Sequence, residues 1–432
     1  MLRLAALTAA AALGVEAGAG GSAWTGADTT TAPFAVASPS AREPFLGVVF
    51  PEPDTNTRSI LARLDPLSLR PVSPEVEIGE YHGAWSLSPD GTQVALAISA
   101  GVSLISPSRP LRERIGVMIV DLEAMRVIQE IESGGAARAL AWLAPRRLVA
   151  ALPGGTVLVD PRTGGTVKRL TGHSRPLASV RARDRIVMLF KGPYRTAGNR
   201  RSQGSAAVRV AVVDAHGRFR SVALDRVRLT FRGGLRWDEA GLAVDRAQGR
   251  AYVFAADAPV AEIDLRTLRV SYHHLDFLFL RPGALQGGSA RPGKLLHRSR
   301  DAISLGERRV LVSGRDVVVG RGGKEAFVPA GAMLVDIAGG TWRALDPKAS
   351  GAAFAAERLL AYGRFGVHGY TLGESRVFHL LEGRRVFDVQ VAGELAYVHT
   401  ARAVGIVDVR RGRIVADIVP RQHLIDVISA RE

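Results

Sequence analysis

A short apolar strand that ends in aspartate, turns tightly and leads into a second strand recurs along this 432-residue chain. Arg63-Leu64-Asp65 leads to Arg70-Pro71-Val72, and Met118-Ile119-Val120-Asp121 leads to Arg126-Val127-Ile128. The pattern returns at Val157 to Asp160, Val210 to Asp214, Ala261 to Asp264, Met333 to Asp336 and Gly405 to Asp408. One more unit, Gly369 to Leu372 before Arg376-Val377-Phe378, lacks the aspartate. A carboxylate at a strand end can accept the backbone N–H groups of the next residues and so shape the turn. Asp65, Asp121, Asp160, Asp214, Asp264, Asp336 and Asp408 are therefore read as structural turn residues.

An apolar, core-filling strand precedes each of these pairs. Examples are Thr92 to Ala97, Arg147 to Ala151, Arg185 to Phe190, Arg250 to Phe254, Arg309 to Val312, Arg358 to Tyr362 and Glu394 to Val398; Phe45 to Phe50 serves the first unit. Short leading strands such as Ala84 to Leu87 and Leu242 to Val244 stand before them, with Ser88-Pro89-Asp90-Gly91 as a tight turn between one such pair. Each unit thus reads as four strands, A to D, in roughly 35–55 residues, the length of a propeller blade. The fold expected is all-β: a single β-propeller of seven or eight four-stranded blades, eight preferred. The first unit begins at its B strand, and His423 to Ile428 is left without a partner of its own. Supplying the missing A strand would close the ring and remove an open sheet edge; an independent C-terminal helix is the other reading.

These units resemble those of YVTN-type and quinoprotein-dehydrogenase-like β-propellers. The resemblance rests on Leu87-Ser88-Pro89-Asp90-Gly91, Leu242-Ala243-Val244-Asp245 and the aspartate-ending strand followed by Arg-Val or Thr-Val, and it covers about residues 45–430. It implies architecture more than activity, because such propellers host binding proteins, scaffolds, lyases and dehydrogenases. The chain departs from the cysteine-bearing enzymes of the group and lacks the tryptophan-rich repeats of a pyrroloquinoline-quinone dehydrogenase.

The N-terminus reads as a secretory signal over residues 1–23: a basic start at Arg3, an apolar run from Leu4 to Val15, and Ala17-Gly18-Ala19 or Gly21-Ser22-Ala23 as cleavage site. Residues 24–44 read as an exposed linker and 45–430 as the propeller domain. The apolar run is too short to span a bilayer, so no transmembrane segment beyond the signal is expected. The chain has no cysteine, which excludes disulfides, thiolate metal sites and thiol nucleophiles. The protein is expected in the cell envelope or secreted, and monomeric.

Net charge is +16, and arginine supplies all but five of the 57 basic residues. Its distribution carries the functional reading. Three insertions, residues 99–114, 191–207 and 277–306, hold more than half of the net charge. Residues 99–114, 191–207 and 315–331 read as B–C loops and 277–306 as a D–A link, which places all of them on one face of the disk. Lys191, Arg195, Arg200, Arg201, Arg291, Lys294, Arg298 and Arg300 are the candidate anion- or partner-binding residues.

No catalytic constellation stands out. The ten histidines are scattered, and no H-E-x-x-H, EF-hand or G-x-S-x-G motif occurs. Gly320 to Lys324 does not have P-loop spacing. No catalytic residue, metal site or cofactor is assigned. The expected function is a binding or scaffold protein whose basic face engages a protein partner or an anionic cell-envelope polymer, with no specific nucleic acid. The alternative is a propeller enzyme, a lyase or quinone-dependent dehydrogenase, with its site at the mouth of the central channel.

Overall fold

The computed structural model describes residues 44–428 apart from 51–58, 100–114, 172–175, 183, 198–199, 233–236, 276–293, 320–324 and 420–422. The leader at 1–23, the linker up to residue 43, nearly all of the 99–114 insertion, Gly320 to Lys324 and Arg291 lie outside the described residues.

Every described element is a strand. β1 (Phe45–Phe50), β2 (Ser59–Leu64), β3 (Val76–Leu87), β4 (Gln93–Ser99), β5 (Ile115–Asp121), β6 (Arg126–Glu132) and β31 (His423–Ile428) form a seven-stranded sheet in the order β31-β1-β2-β3-β4-β5-β6. Six four-stranded antiparallel sheets follow, each built from consecutive strands. The first is β7–β10 (Leu140–Ala144, Arg147–Leu152, Gly155–Val159, Thr166–Thr171), and the second is β11–β14 (Pro176–Ala182, Arg185–Ala197, Arg200–Asp214, Phe219–Arg232). Next come β15–β18 (Gly241–Asp245, Arg250–Phe254, Val260–Asp264, Val270–His273) and β19–β22 (Lys294–Gly306, Arg309–Val319, Glu325–Asp336, Thr341–Asp346). The last two are β23–β26 (Ala349–Ala355, Arg358–Gly363, Gly366–Thr371, Arg376–Leu380) and β27–β30 (Val386–Ala392, Leu395–Thr400, Val404–Asp408, Arg413–Ile418).

The sequence of each strand follows from its depth in the sheet. Middle strands such as β8 (RLVAAL) and β9 (GTVLV) are apolar almost throughout, because both faces of the sheet are covered. The outer strand β10 (TVKRLT) is mostly exposed and carries the charges that suit an open edge. Alternate residues of one strand enter different cores. Leu148 and Ala150 pack with Ala95 and Ile119, whereas Val149 and Ala151 pack with Ile186 and Met188. Val187 and Leu189 then meet Leu242 and Val253, and Tyr252 and Phe254 meet Val310 and Met333. Leu311 joins Leu359, and Leu360 joins Val398. Tyr397 and Ile406, near the C-terminus, share a core with Leu64 and Leu424, while Val48 and Leu61 share one with Leu96 and Met118.

The C-terminal segment is a strand, not a helix. β31 runs antiparallel to β1, with Leu46 opposite Ile428 and Phe50 opposite His423. Two side chains fasten it: the Tyr81 hydroxyl donates to Asp426 Oδ2 at 2.8 Å, and Gln390 Nε2 donates to the Ile425 carbonyl at 2.7 Å.

Three strand assignments differ from the sequence reading. Pro71 makes only an isolated bridge to Leu64, and the strand that pairs with β2 is the start of β3. β3 then runs on to pair with β4, bending where Gly79 and Gly83 adopt φ of 71° and 76°, values that a side chain would make costly. The stretches 191–207 and 315–331 are long hairpins instead of loops: Thr196 still faces Gly204, and Val319 still faces Glu325. The end of the 277–306 link is strand β19, paired with β20 from Lys294 onward. Backbone pairing satisfies these polar segments without an apolar repeat to announce them.

The turn aspartates accept backbone N–H groups. Asp65 Oδ1 takes those of Leu67 and Ser68, Asp121 those of Glu123 and Ala124, and Asp264 those of Arg266 and Thr267, at 2.7–3.1 Å. Asp160 accepts from Arg162, Asp214 from His216 and Arg218, Asp336 from Gly339, and Asp408 from Arg411. Where the aspartate is missing, the Thr371 hydroxyl accepts the Ser375 N–H at 3.2 Å.

One ion cluster ties β15–β18 to the next sheet. Glu262, 2% exposed, accepts from Arg250 at 2.5 Å and from Arg308 at 2.7 Å, and hydrogen-bonds His273 Nε2 at 2.7 Å. Burial alone pushes this carboxyl up, but the His273 hydrogen bond and the charges of Arg308 and Arg250 outweigh it and hold the group below its ordinary value. The stability gained is complete above the unfolded-state value near 4.5 and is lost as pH falls through the lower folded-state value.

Two outcomes are expected. Leu424→Ala, which empties a site shared by the first and last strands, should cost about 2–5 kcal/mol in urea unfolding. Glu262→Gln should cost about 3 kcal/mol at pH 7, and the deficit should shrink below pH 4.5 when unfolding midpoints are compared across a pH series.

Candidate functional site

The face that carries the second-to-third-strand turns is uneven around the β15–β18 sheet. There the turn is short, residues 255–259. On either side the β12–β14 and β19–β21 strands run well beyond it. Between them passes the segment Trp237 to Glu239. Trp237 bridges to Phe231 on β14, and Glu239 bridges in parallel to Ser299 on β19. The Glu239 N–H donates to the Arg298 carbonyl at 2.7 Å, and the Arg300 N–H donates to the Glu239 carbonyl at 3.2 Å. The two extensions are thereby joined above the short sheet.

Side chains reinforce this connection. Lys191 Nζ lies 4.1 Å from the centroid of the Trp237 ring, and partial burial lowers the lysine's pKa. Phe231 packs against the other part of the aromatic pair, with ring centroids 5.3 Å apart. Asp238, 4% exposed, accepts the Arg298 N–H at 3.0 Å. The Ser299 hydroxyl donates to Glu239 Oε2 at 2.9 Å, and burial pushes the Glu239 carboxyl up.

The basic residues expected to form an open anion site divide here. Lys191 stands at the root of the first extension. Arg195 lies opposite Ser205 and Arg200 opposite Ala197, with Arg201 beside it on β13; Lys294 opens β19 opposite Val319. Arg298 and Arg300 are differently placed. Arg298 is half-buried and its Nη1 pairs with Asp257 on the short turn. Arg300 is 3% exposed, and its Nη1 donates to Asp316 Oδ1 at 2.9 Å, the Ser299 carbonyl at 2.7 Å and the Arg315 carbonyl at 3.4 Å. Burial lowers the Arg300 pKa and Asp316 opposes that fall. Arg300 answers the buried Asp316 and Arg298 the exposed Asp257, so both charges are paired.

Sequence reasoning missed Trp237, Asp238, Glu239, Asp257 and Asp316. The one available signal was the acidic pair Asp238-Glu239 just before a strand. Asp316 lies across a hairpin from Arg300, a proximity visible only once register is known.

Two polar clusters elsewhere bring histidine beside hydroxyl or carboxylate groups. His82 Nε2 lies 2.5 Å from Ser99 Oγ, whose hydroxyl donates to Glu80 Oε2 at 2.9 Å. Glu80 approaches His82 at that same nitrogen, 3.9 Å away. It therefore does not orient the ring from the far side as the third member of a triad does. Asp346 holds His368 Nδ1 at 2.6 Å and receives the Tyr370 hydroxyl at 3.3 Å, while the His368 ring stacks on Phe365 at 4.3 Å. Among the described residues no serine or threonine hydroxyl joins this cluster, and no group of three or more acidic or histidine side chains is set to hold a metal.

Solved structures with similar folds include apo AztD from Citrobacter koseri, with a TM-score of 0.50 over 89% of this chain and 96% of that one, at 11% identity. The chain is built as a β-propeller. BamB from Moraxella catarrhalis gives 0.42 over 85% and 95% at 11% identity. The β-propeller domain of Cps50 (Swd1) from Myceliophteria thermophila gives 0.36 over 74% and 93% at 14%. No family model and no curated protein matches the chain. At these identities the likeness is one of fold. No helix among the described residues is long and apolar enough to cross a membrane.

The propeller's long hairpin depends on a glycine at its base. A Cβ on Gly314 would stand 2.1 Å from the Ser299 carbonyl oxygen and 3.1 Å from Arg300 Cδ. Gly314→Ala is expected to lower stability by about 1–3 kcal/mol through overpacking. Urea unfolding of the variant beside wild type measures it.

Proposed function

We propose that this protein is an extracytoplasmic binding or scaffold propeller whose partner docks on the face bearing the β12–β14 and β19–β21 extensions. The observation that carries this reading is the joining of the two extensions through Trp237 to Glu239 above a short sheet. A rigid, raised platform of this kind suits recognition, and it needs no catalytic group. Lys191, Arg195, Arg200, Arg201 and Lys294 fall on these strands and favour an anionic partner, either an envelope polymer or an acidic protein surface. Arg298 and Arg300 are set aside from the docking set because each is paired with a carboxylate.

The reading includes an architecture of eight blades in one ring. Its support is the run of cores that leads from sheet to sheet and returns from Tyr397 and Ile406 to Leu64 and Leu424, together with β31 beside β1. β3 then serves two blades, as the outer strand of one and the inner strand of the next. The repeat is taken as YVTN- or quinoprotein-like on the motifs at Leu87 to Gly91 and Leu242 to Asp245. Residues 1–23 support export, residues 24–44 a linker, and the chain is taken as a monomer.

The test uses a variant with Lys191, Arg195, Arg200 and Arg201 all changed to glutamate. Wild type should bind anionic cell-wall polymer, and binding should weaken between 0.1 M and 1 M salt, where the screening length falls from about 10 Å to about 3 Å. The variant should bind about ten-fold or more weakly. A wild type that ignores the polymer and acidic proteins at low salt sinks the docking reading.

A further inference from the structure

Four cations outside the docking set gather on the face of the second-to-third-strand turns, where the β19–β22, β23–β26 and β27–β30 sheets meet. Arg364 lies on the turn between β24 and β25, and Lys348 and Arg385 stand on the links that lead into β23 and β27. Arg315 lies on β20, opposite Ser299 and Pro329. β23 packs against β20 and β21, and β27 packs against β23 and β24, so these positions are neighbours across three sheets. The backbones of Lys348 and Arg364 come especially close. A Cβ on Gly363, the residue before Arg364, would stand 3.0 Å from the Lys348 carbonyl oxygen.

The cluster has no internal counter-charge. Among the described residues, no carboxylate forms an ion pair with Arg315, Lys348, Arg364 or Arg385. The acids nearby are engaged otherwise: Glu239 accepts the Ser299 hydroxyl, Asp346 holds His368, and Asp388 accepts from Gln390. Burial lowers the Arg385 pKa, and the charges of Arg364 and Arg315 lower it further. Like charges gathered in this way repel one another and cost stability. Lys348, Arg364 and Arg385 are exposed and Arg315 is half-buried, so the cluster is open to a solute.

Two of the guanidinium groups are held by aromatic rings. The guanidinium carbon of Arg315 lies 5.4 Å from the centroid of Phe327, and that of Arg385 lies 4.9 Å from the centroid of Phe387. A ring against the guanidinium face restrains the fork and leaves its N–H edges to donate. Such edges match the paired oxygens of an oxyanion. A singly charged anion would leave most of the repulsion in place, whereas one with several charges offsets it.

From this arrangement we infer that Arg315, Lys348, Arg364 and Arg385 form a binding site for a compact, soluble oxyanion of the phosphate class that carries two or more negative charges. The site shares a face with the docking surface but none of its residues, and it stands whether or not that surface binds a polymer.

The experiment is calorimetric titration of the full chain with sodium pyrophosphate at low salt, with thermal unfolding followed alongside. Sodium acetate at matched ionic strength is the comparison. Wild type should bind pyrophosphate at a single saturable site and unfold at higher temperature in its presence. Acetate should do neither. A variant carrying Arg364→Gln and Arg385→Gln should bind pyrophosphate about ten-fold or more weakly. Both side chains are exposed and repel each other, so without the anion this variant should unfold at or above the temperature of wild type. A second variant, with Lys191, Arg195, Arg200 and Arg201 changed to glutamine, should bind pyrophosphate as wild type does, which separates this site from the docking surface. Absence of pyrophosphate binding up to about 10 mM overturns the assignment. So does binding that survives undiminished in the Arg364 and Arg385 variant, binding lost in the second variant, or acetate that binds as well as pyrophosphate.

Discussion

A four-stranded sheet that is apolar on both faces has no stability of its own; it persists only between two others. That constraint organises the molecule. Val149 and Ala151 need Ile186 and Met188 as much as Leu148 and Ala150 need Ala95 and Ile119. Every sheet is thus a filling between its neighbours, and where its inner strands carry buried charge, as at Glu262 or at Arg300 and Asp316, that charge is paired. The same requirement makes the terminal strands meet. Without β31, the apolar side chains of β1 and the open edge of its backbone would both face water.

Much of this was legible in the residues. The aspartate-ended strands announced the repeat because a turn that must present a carboxylate to two N–H groups accepts few other side chains. Thr371 shows why one unit escaped the pattern: a hydroxyl performs the same task with one fewer acceptor. Leu424 to Ile428 was legible as a strand because its apolar residues had no unit of their own to join. The extensions were not legible. Arg195 to Gln203 has no apolar alternation to announce a strand. The strand that pairs with β2 was sought at Arg70 to Val72, where Pro71 removes a donor, and is found at Val76 to Gly79.

The charge of the chain also means something different once it is placed. Counted along the sequence, residues 294–306 are strongly basic. In the fold, Arg298 and Arg300 answer Asp257 and Asp316, and the segment contributes little free charge. Register decides this. Arg300 and Asp316 are separated by 16 residues and meet only because the β19–β20 hairpin sets them side by side.

The pairing of β1 with β31 has a kinetic consequence. Leu46 and Ile428 are very far apart in sequence, and contacts of such separation form slowly. β31 is also synthesised after every other described strand. A nascent or truncated chain must therefore keep a finished core waiting with one edge open, and that edge is where another copy can pair. The pairing of β31 with β1 thus acts as a late checkpoint on this sheet.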